Sequence, residues 1–138
     1  MKITFACVEN SCRSQIAEAL AKNNYAREEV EFSSAGTQPA EKVDEGALTL
    51  LQKLGIEWSG TPKSFADIDK PDIVVTMGCE VRCPYIPGAK MISWEIPDPK
   101  GKTQKEYMRI KTLIENRLID LINKLRYSKD HKVITIDS

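Results

Sequence analysis

Short apolar runs that alternate with amphipathic stretches limit what this chain can fold into. Lys2 to Ala6 reads as a buried strand, and Asp72-Ile73-Val74-Val75-Thr76-Met77 is the strongest strand in the sequence. Val30 to Ser33 predicts another short strand, ended by Ala35-Gly36, and Ala89 to Ile92 a fourth. Ser14 to Tyr25 predicts a helix with Ile16, Ala17, Leu20 and Ala21 on one side. Val43, Ala47, Leu50, Leu51 and Leu54 mark a second amphipathic helix, closed by Gly55. Lys102 to Leu125 carries Ile110, Leu113, Ile114, Leu118, Leu121, Ile122 and Leu125, the pattern of a long helix packed on one face. Strand and helix alternating over short links predict an α/β fold, a parallel sheet with helices on both faces.

The 138 residues suffice for a single domain spanning 1–138 with a real core. Twenty basic and twenty acidic residues cancel, so no charge excess points to nucleic acid or an anionic membrane. No apolar run approaches a membrane span and no signal-peptide pattern opens the chain, so a soluble cytoplasmic protein is expected. Four cysteines in such a chain point to catalysis, redox chemistry or metal binding before a disulfide framework. The tail from Ser128 to Ser138 stays open, with Val133 to Ile136 either an added strand or a loose end.

In a parallel sheet, ligands bind beyond the carboxyl ends of the strands. Cys7-Val8-Glu9-Asn10-Ser11-Cys12-Arg13-Ser14 stands there, between the first strand and the first helix. Backbone N–H groups of Val8 through Ser14 can curl around a tetrahedral oxyanion, and the helix N-terminus adds positive potential. Arg13 can hold two of the anion's oxygens with its planar fork. The same field favours the Cys7 thiolate, since helix N-termini bring a cysteine pKa from about 8.5 to roughly 3.5–7.5. Ser14 can donate its hydroxyl to the sulfur. No histidine base is required, and the only histidine is His131 in the tail.

The C-x5-R-S stretch after the first strand resembles the active loop of the low-molecular-weight protein tyrosine phosphatase family. Asn10-Ser11-Cys12-Arg13-Ser14-Gln15 with Ala17-Glu18 is closest to its thioredoxin-coupled arsenate reductase branch. Ser34-Ala35-Gly36-Thr37, Met77-Gly78-Cys79 with Cys83-Pro84, and Trp94 leading to Asp98-Pro99 follow in family order. The resemblance implies a three-layer sandwich with a four-stranded parallel sheet, and reduction of arsenate to arsenite. It also implies a relay in which Cys7 attacks arsenic, Cys79 attacks Cys7, and Cys83 resolves Cys79 into a disulfide that thioredoxin reduces. Residues four apart in a helical turn lie about 6 Å from each other at Cα, within disulfide range. Asp98 takes the role of proton donor, Trp94 packs beneath the loop, Asn10 holds the loop's turn, and Cys12 stays outside the relay.

Glu9 stands where many relatives have glycine, so its carboxylate must point outward from an anion site. Asn10, Glu18 and Ser34 match a potassium site of some relatives, but Phe65 replaces an acidic ligand. A potassium ion is therefore a candidate only, no metal is assigned, and no tightly bound cofactor is expected. The main alternative is a low-molecular-weight phosphatase hydrolysing phosphate monoesters. Lys100-Gly101 after Asp98-Pro99 speaks against it, because phosphatase relatives place an aromatic pair there. A zinc site of Cys7, Cys12, Cys79 and Cys83 is a looser match and leaves Arg13, Ser14 and Asp98 unexplained.

Overall fold

The computed structural model describes residues 1–26, 29–78 and 85–131, with side chains through Arg126. Four strands, β1 (Lys2–Cys7), β2 (Glu31–Gly36), β3 (Ile73–Thr76) and β4 (Lys90–Ser93), form one sheet in the order β2-β1-β3-β4. Every pairing is parallel. Among the described residues, three helices, α1 (Arg13–Tyr25), α2 (Glu45–Lys53) and α3 (Gln104–His131), pack with the sheet in an α/β fold. Among the described residues, no helix is long and apolar enough to cross a membrane.

The layering is uneven. Ile3, Phe5, Ile73, Val75 and Ile92 face a large core with Ile16, Leu20, Leu50, Ile110, Ile114, Leu118 and Ile122 from the helices. The opposite face presents the small residues Ala6 and Val74, covered by Val8, Phe65, Ile86 and Ala89. Small strand residues let a short 3-10 turn at Phe65–Asp67 lie close on that side. Trp94, buried beside Phe5 with ring centroids 5.9 Å apart, joins the large core.

Element boundaries differ from the sequence reading where burial overrides local signals. β2 runs on to Gly36, because Ser34, Ala35 and Gly36 are buried and pair with Phe5, Ala6 and Cys7. α3 continues past Leu125 to His131, so four residues of the ambiguous tail are helical. The strand considered for Val133 to Ile136 lies outside the described residues, as do Cys79 and Cys83. α2 is capped by Asp44, whose carboxylate accepts from the Ala47 N–H at 3.1 Å, and Gly55 at φ 75° closes it.

This register brings the strand ends together. Cys7 ends the central strand opposite Gly36, while the Met77 N–H donates to the Ala6 carbonyl at 2.8 Å on the other side. The loop after β1 crosses Gly36 so closely that an added Cβ would sit 2.5 Å from the Val8 oxygen and 2.9 Å from the Asn10 nitrogen. Gly36→Ala is therefore expected to lose about 1–3 kcal/mol of stability through overpacking. Urea denaturation should show a lower midpoint at unchanged slope. An unchanged midpoint would place the loop away from the β2 end.

Candidate active site

The loop from Val8 to Cys12 is held from outside by its carbonyls. Those of Val8, Glu9 and Ser11 accept from the N–H groups of Gln38, Ala40 and Asp44 at 2.8, 2.9 and 2.8 Å. Cys12 passes its carbonyl to Ile16 at 2.9 Å, the first bond of α1. With those oxygens engaged, the loop N–H groups and the unpaired first-turn N–H groups of α1 are the polar backbone suited to an anion.

Asn10 turns the loop at φ 50°, a left-handed conformation that Asn tolerates better than most side chains. It is fully buried. Its Oδ1 accepts from the Lys63 N–H at 2.8 Å, and its Nδ2 donates to Ser14 Oγ at 2.8 Å. Ser14 Oγ lies 2.9 Å from the sulfur of Cys7, which is buried at 4% exposure.

Arg13 reaches from the helix start across the mouth of the loop. Its Nη1 donates to the Ile96 carbonyl at 2.7 Å and its Nη2 lies 3.9 Å from Asp98 Oδ2. The guanidinium rests on Gly78, where a Cβ would fall 2.5 Å from Nη1 and where φ is 86°. Only glycine meets both demands. Asp98 has a half-exposed side chain, and its Oδ1 accepts from the Lys100 N–H at 3.0 Å.

Glu9 points outward and pairs with Lys100 at 2.7 Å. The hydrogen bond to Glu9 raises the Lys100 ammonium above the usual lysine range. Ser11 turns its hydroxyl toward Glu9 at 3.5 Å, so it meets an anion through its backbone. The Cys12 thiol faces the large core, where burial and then Asp44 push its pKa upward. Burial favours its neutral thiol form.

The potassium candidate does not survive the geometry. Glu18, buried in α1, accepts from Ser34 Oγ at 2.5 Å on Oε1, with Lys63 Nζ 3.7 Å from that oxygen. Its Oε2 receives the Lys22 ammonium at 2.6 Å. Two ammonium groups already compensate the carboxylate, the Asn10 Oδ1 is engaged, and Phe65 offers no oxygen. These residues do not fit a potassium ion.

The sequence reading missed supports from distant segments. Tyr107 OH donates to Asp44 Oδ2 at 2.5 Å, across the space Gly46 leaves, and Asp44 in turn holds the Ser11 carbonyl. Gln15 and Trp58 stand behind Asn10. Gln15, fully buried on a helix face, is the one such residue that a polar interruption of an apolar stripe could have flagged.

Comparison with known proteins matches this architecture. The chain is 36% identical over 124 residues to an arsenate reductase of Staphylococcus aureus, covering 83% of this chain and 93% of that protein. A thioredoxin-dependent arsenate reductase structure from Corynebacterium glutamicum aligns at TM-score 0.73 and 32% identity over 92% of this chain. The chain spans 62% of that protein's length. The arginine phosphatase of Geobacillus stearothermophilus aligns at TM-score 0.80 and 26% identity, covering 94% of this chain and 96% of that one. Residues 2–131 match the family model of the low molecular weight phosphotyrosine protein phosphatases, and the chain belongs to that family.

Proposed function

We propose that this chain, as one domain, reduces arsenate to arsenite with Cys7 as nucleophile and Cys79 and Cys83 as relay thiols. One observation carries the reading beyond an anion site. β3 lies directly beside β1, and Gly78, the residue before Cys79 in the sequence, packs under Arg13. A hydrolase needs no second thiol after such a strand.

The oxyanion binds the loop N–H groups from Val8 to Ser14 and the Arg13 fork. The Cys7 thiolate attacks arsenic(V), and Asp98 protonates the hydroxide that leaves as water. The Cys79 thiolate then attacks the Cys7 sulfur. The S–As bonding pair passes to arsenic, arsenite departs, and a Cys7–Cys79 disulfide remains. The Cys83 thiolate attacks Cys79, releasing Cys7 as thiolate and leaving Cys79–Cys83. A dithiol protein reductant returns that pair to thiols. Thioredoxin is the partner proposed, supported by the thioredoxin-dependent Corynebacterium relative. A reducing cytoplasm suits a cycle that starts from three free thiols. The proposed steps call for no tightly bound cofactor.

Phosphate-ester hydrolysis is the second reading, favoured by the alignment with an arginine phosphatase. Cys7, Arg13 and Asp98 suffice for it. The charged Glu9–Lys100 pair at the mouth suits small inorganic oxyanions better than an aromatic ester.

The decisive assay follows NADPH loss with arsenate, thioredoxin and thioredoxin reductase. Cys7→Ser is expected to abolish both arsenate reduction and aryl phosphate hydrolysis, since an alcohol is a far poorer nucleophile at neutral pH. Arg13→Lys keeps the charge but loses the fork, and kcat/KM should fall on the order of 10²-fold. Near-normal kinetics in either variant would sink the loop assignment.

The relay separates the two activities. Cys79→Ser should lose arsenate turnover while sparing whatever aryl phosphate hydrolysis the parent shows. Cys83→Ser should complete about one turnover and stall as a Cys7–Cys79 disulfide, because no resolving thiol remains. Mass spectrometry after one arsenate equivalent should find that pair in Cys83→Ser and Cys79–Cys83 in the parent. Repeated turnover by both single variants would instead favour the phosphatase.

A further inference from the structure

Gln15 is fully buried, yet its amide is bonded at both ends. Oε1 accepts from Trp58 Nε1 at 2.9 Å. Nε2 faces the Asn10 carbonyl at 3.0 Å, the Thr61 carbonyl at 3.0 Å and Asn10 Oδ1 at 3.2 Å. An indole N–H only donates and a backbone carbonyl only accepts, so this amide has a single orientation.

That polarity propagates. The Lys63 N–H and Gln15 Nε2 both donate to Asn10 Oδ1, which leaves the Asn10 Nδ2 to face Ser14. Nδ2 donates to Ser14 Oγ at 2.8 Å. The Ser14 oxygen is then an acceptor toward Asn10, and its proton is free to point at the Cys7 sulfur 2.9 Å away. A proton aimed at sulfur stabilises a thiolate and not a thiol.

The outer end of this chain is built with equal care. Trp58 closes over Gln15 only because residue 60 is glycine, where a Cβ would meet the indole at 2.5 Å and Gln15 Oε1 at 2.8 Å. The Lys22 ammonium covers the ring from outside, 5.6 Å from its centroid.

We propose that Gln15, itself held by Trp58, is a positioning residue for Cys7. It locks Asn10 in its left-handed turn and so keeps the Ser14 proton directed at the sulfur. The proposal rests on Cys7 being the nucleophile, and its test reads the thiol without arsenate, reductant or relay cysteines.

The measurement is the rate of Cys7 alkylation by iodoacetamide at neutral pH, assigned by peptide mass mapping. Trp58→Phe should slow it about three- to tenfold, the scale of one buried hydrogen bond, and Gln15→Met should slow it further. Trp58→Phe should still unfold cooperatively, so it carries the test even if Gln15→Met does not fold. In a Ser14→Ala background neither change should have any further effect, because the path to the sulfur runs through that hydroxyl. Parental rates in Trp58→Phe, or an equal loss in the Ser14→Ala background, would overturn the proposal. If the parent's Cys7 reacts no faster than free cysteine, the nucleophile reading fails first and this proposal falls with it.

Discussion

Asn10 must adopt a left-handed backbone for the chain to turn from β1 into α1 within five residues, and the site's other contacts follow from that turn. Such a conformation costs a non-glycine residue about 1–3 kcal/mol. Glycine would avoid the strain but would bring no side chain. Asn10 uses its amide to tie its loop to two segments, the backbone at Lys63 and the start of α1 at Ser14 and Gln15. Each buried bond contributes about 0.5–1.5 kcal/mol, so together they can offset the strain. The turn is held by its surroundings, and those surroundings end at the Cys7 sulfur.

Charge is arranged on the same plan. Glu18 is buried, and an unpaired carboxylate there would cost several kcal/mol, so Lys22 and Lys63 stand on either side of it. This arrangement ties the Lys63 side chain to α1. Glu9 and Lys100 are exposed, and such a pair adds little to stability. Its effect is electrostatic, since Lys100 cancels a carboxylate that would otherwise repel an incoming anion. Arg13 is different. One nitrogen is tied to the Ile96 carbonyl, while Asp98 stands off at 3.9 Å, which leaves capacity for an oxyanion between them.

What the sequence revealed follows how local each feature is. The strand at Ile73–Thr76 and the apolar faces of α1 and α3 were legible because periodicity is a local property. Cys7, Arg13 and Ser14 were legible because the strand, loop and helix that present them are contiguous. Trp58 and Lys63 carried no such mark. Their partners lie 43 and 53 positions apart, at Trp58–Gln15 and Lys63–Asn10, so only the folded sheet brings them together. The potassium candidate failed partly for the same reason: Lys22 stands one helical turn from Glu18, but Lys63 reaches that carboxylate only in the folded chain. α3 outran its apolar stripe: the sequence pattern ends at Leu125, while the helix continues to His131. Cys79 and Cys83 fall outside the described residues, so their part in the chemistry rests on sequence position and on the strand that leads to them.

The strand order explains how one loop can serve two chemistries. β1 lies between β2 and β3, with a glycine at or just past the end of each neighbour: Gly36 ends β2 and admits the loop backbone, and Gly78, two residues after β3, admits the Arg13 guanidinium. Those two close approaches build a cradle for a tetrahedral oxyanion whatever its central atom. The outcome then depends on what attacks next. Phosphorus held on a thiolate can leave only by displacement, and water suffices. Arsenic(V) held on a thiolate can also accept the electron pair of its own S–As bond, provided a second thiol reaches the sulfur. On the proposed relay, the difference between hydrolase and reductase lies outside the loop. The free energy of the fold goes into a cradle common to both, and the cysteines that follow Gly78 in the sequence are what the proposed reduction adds.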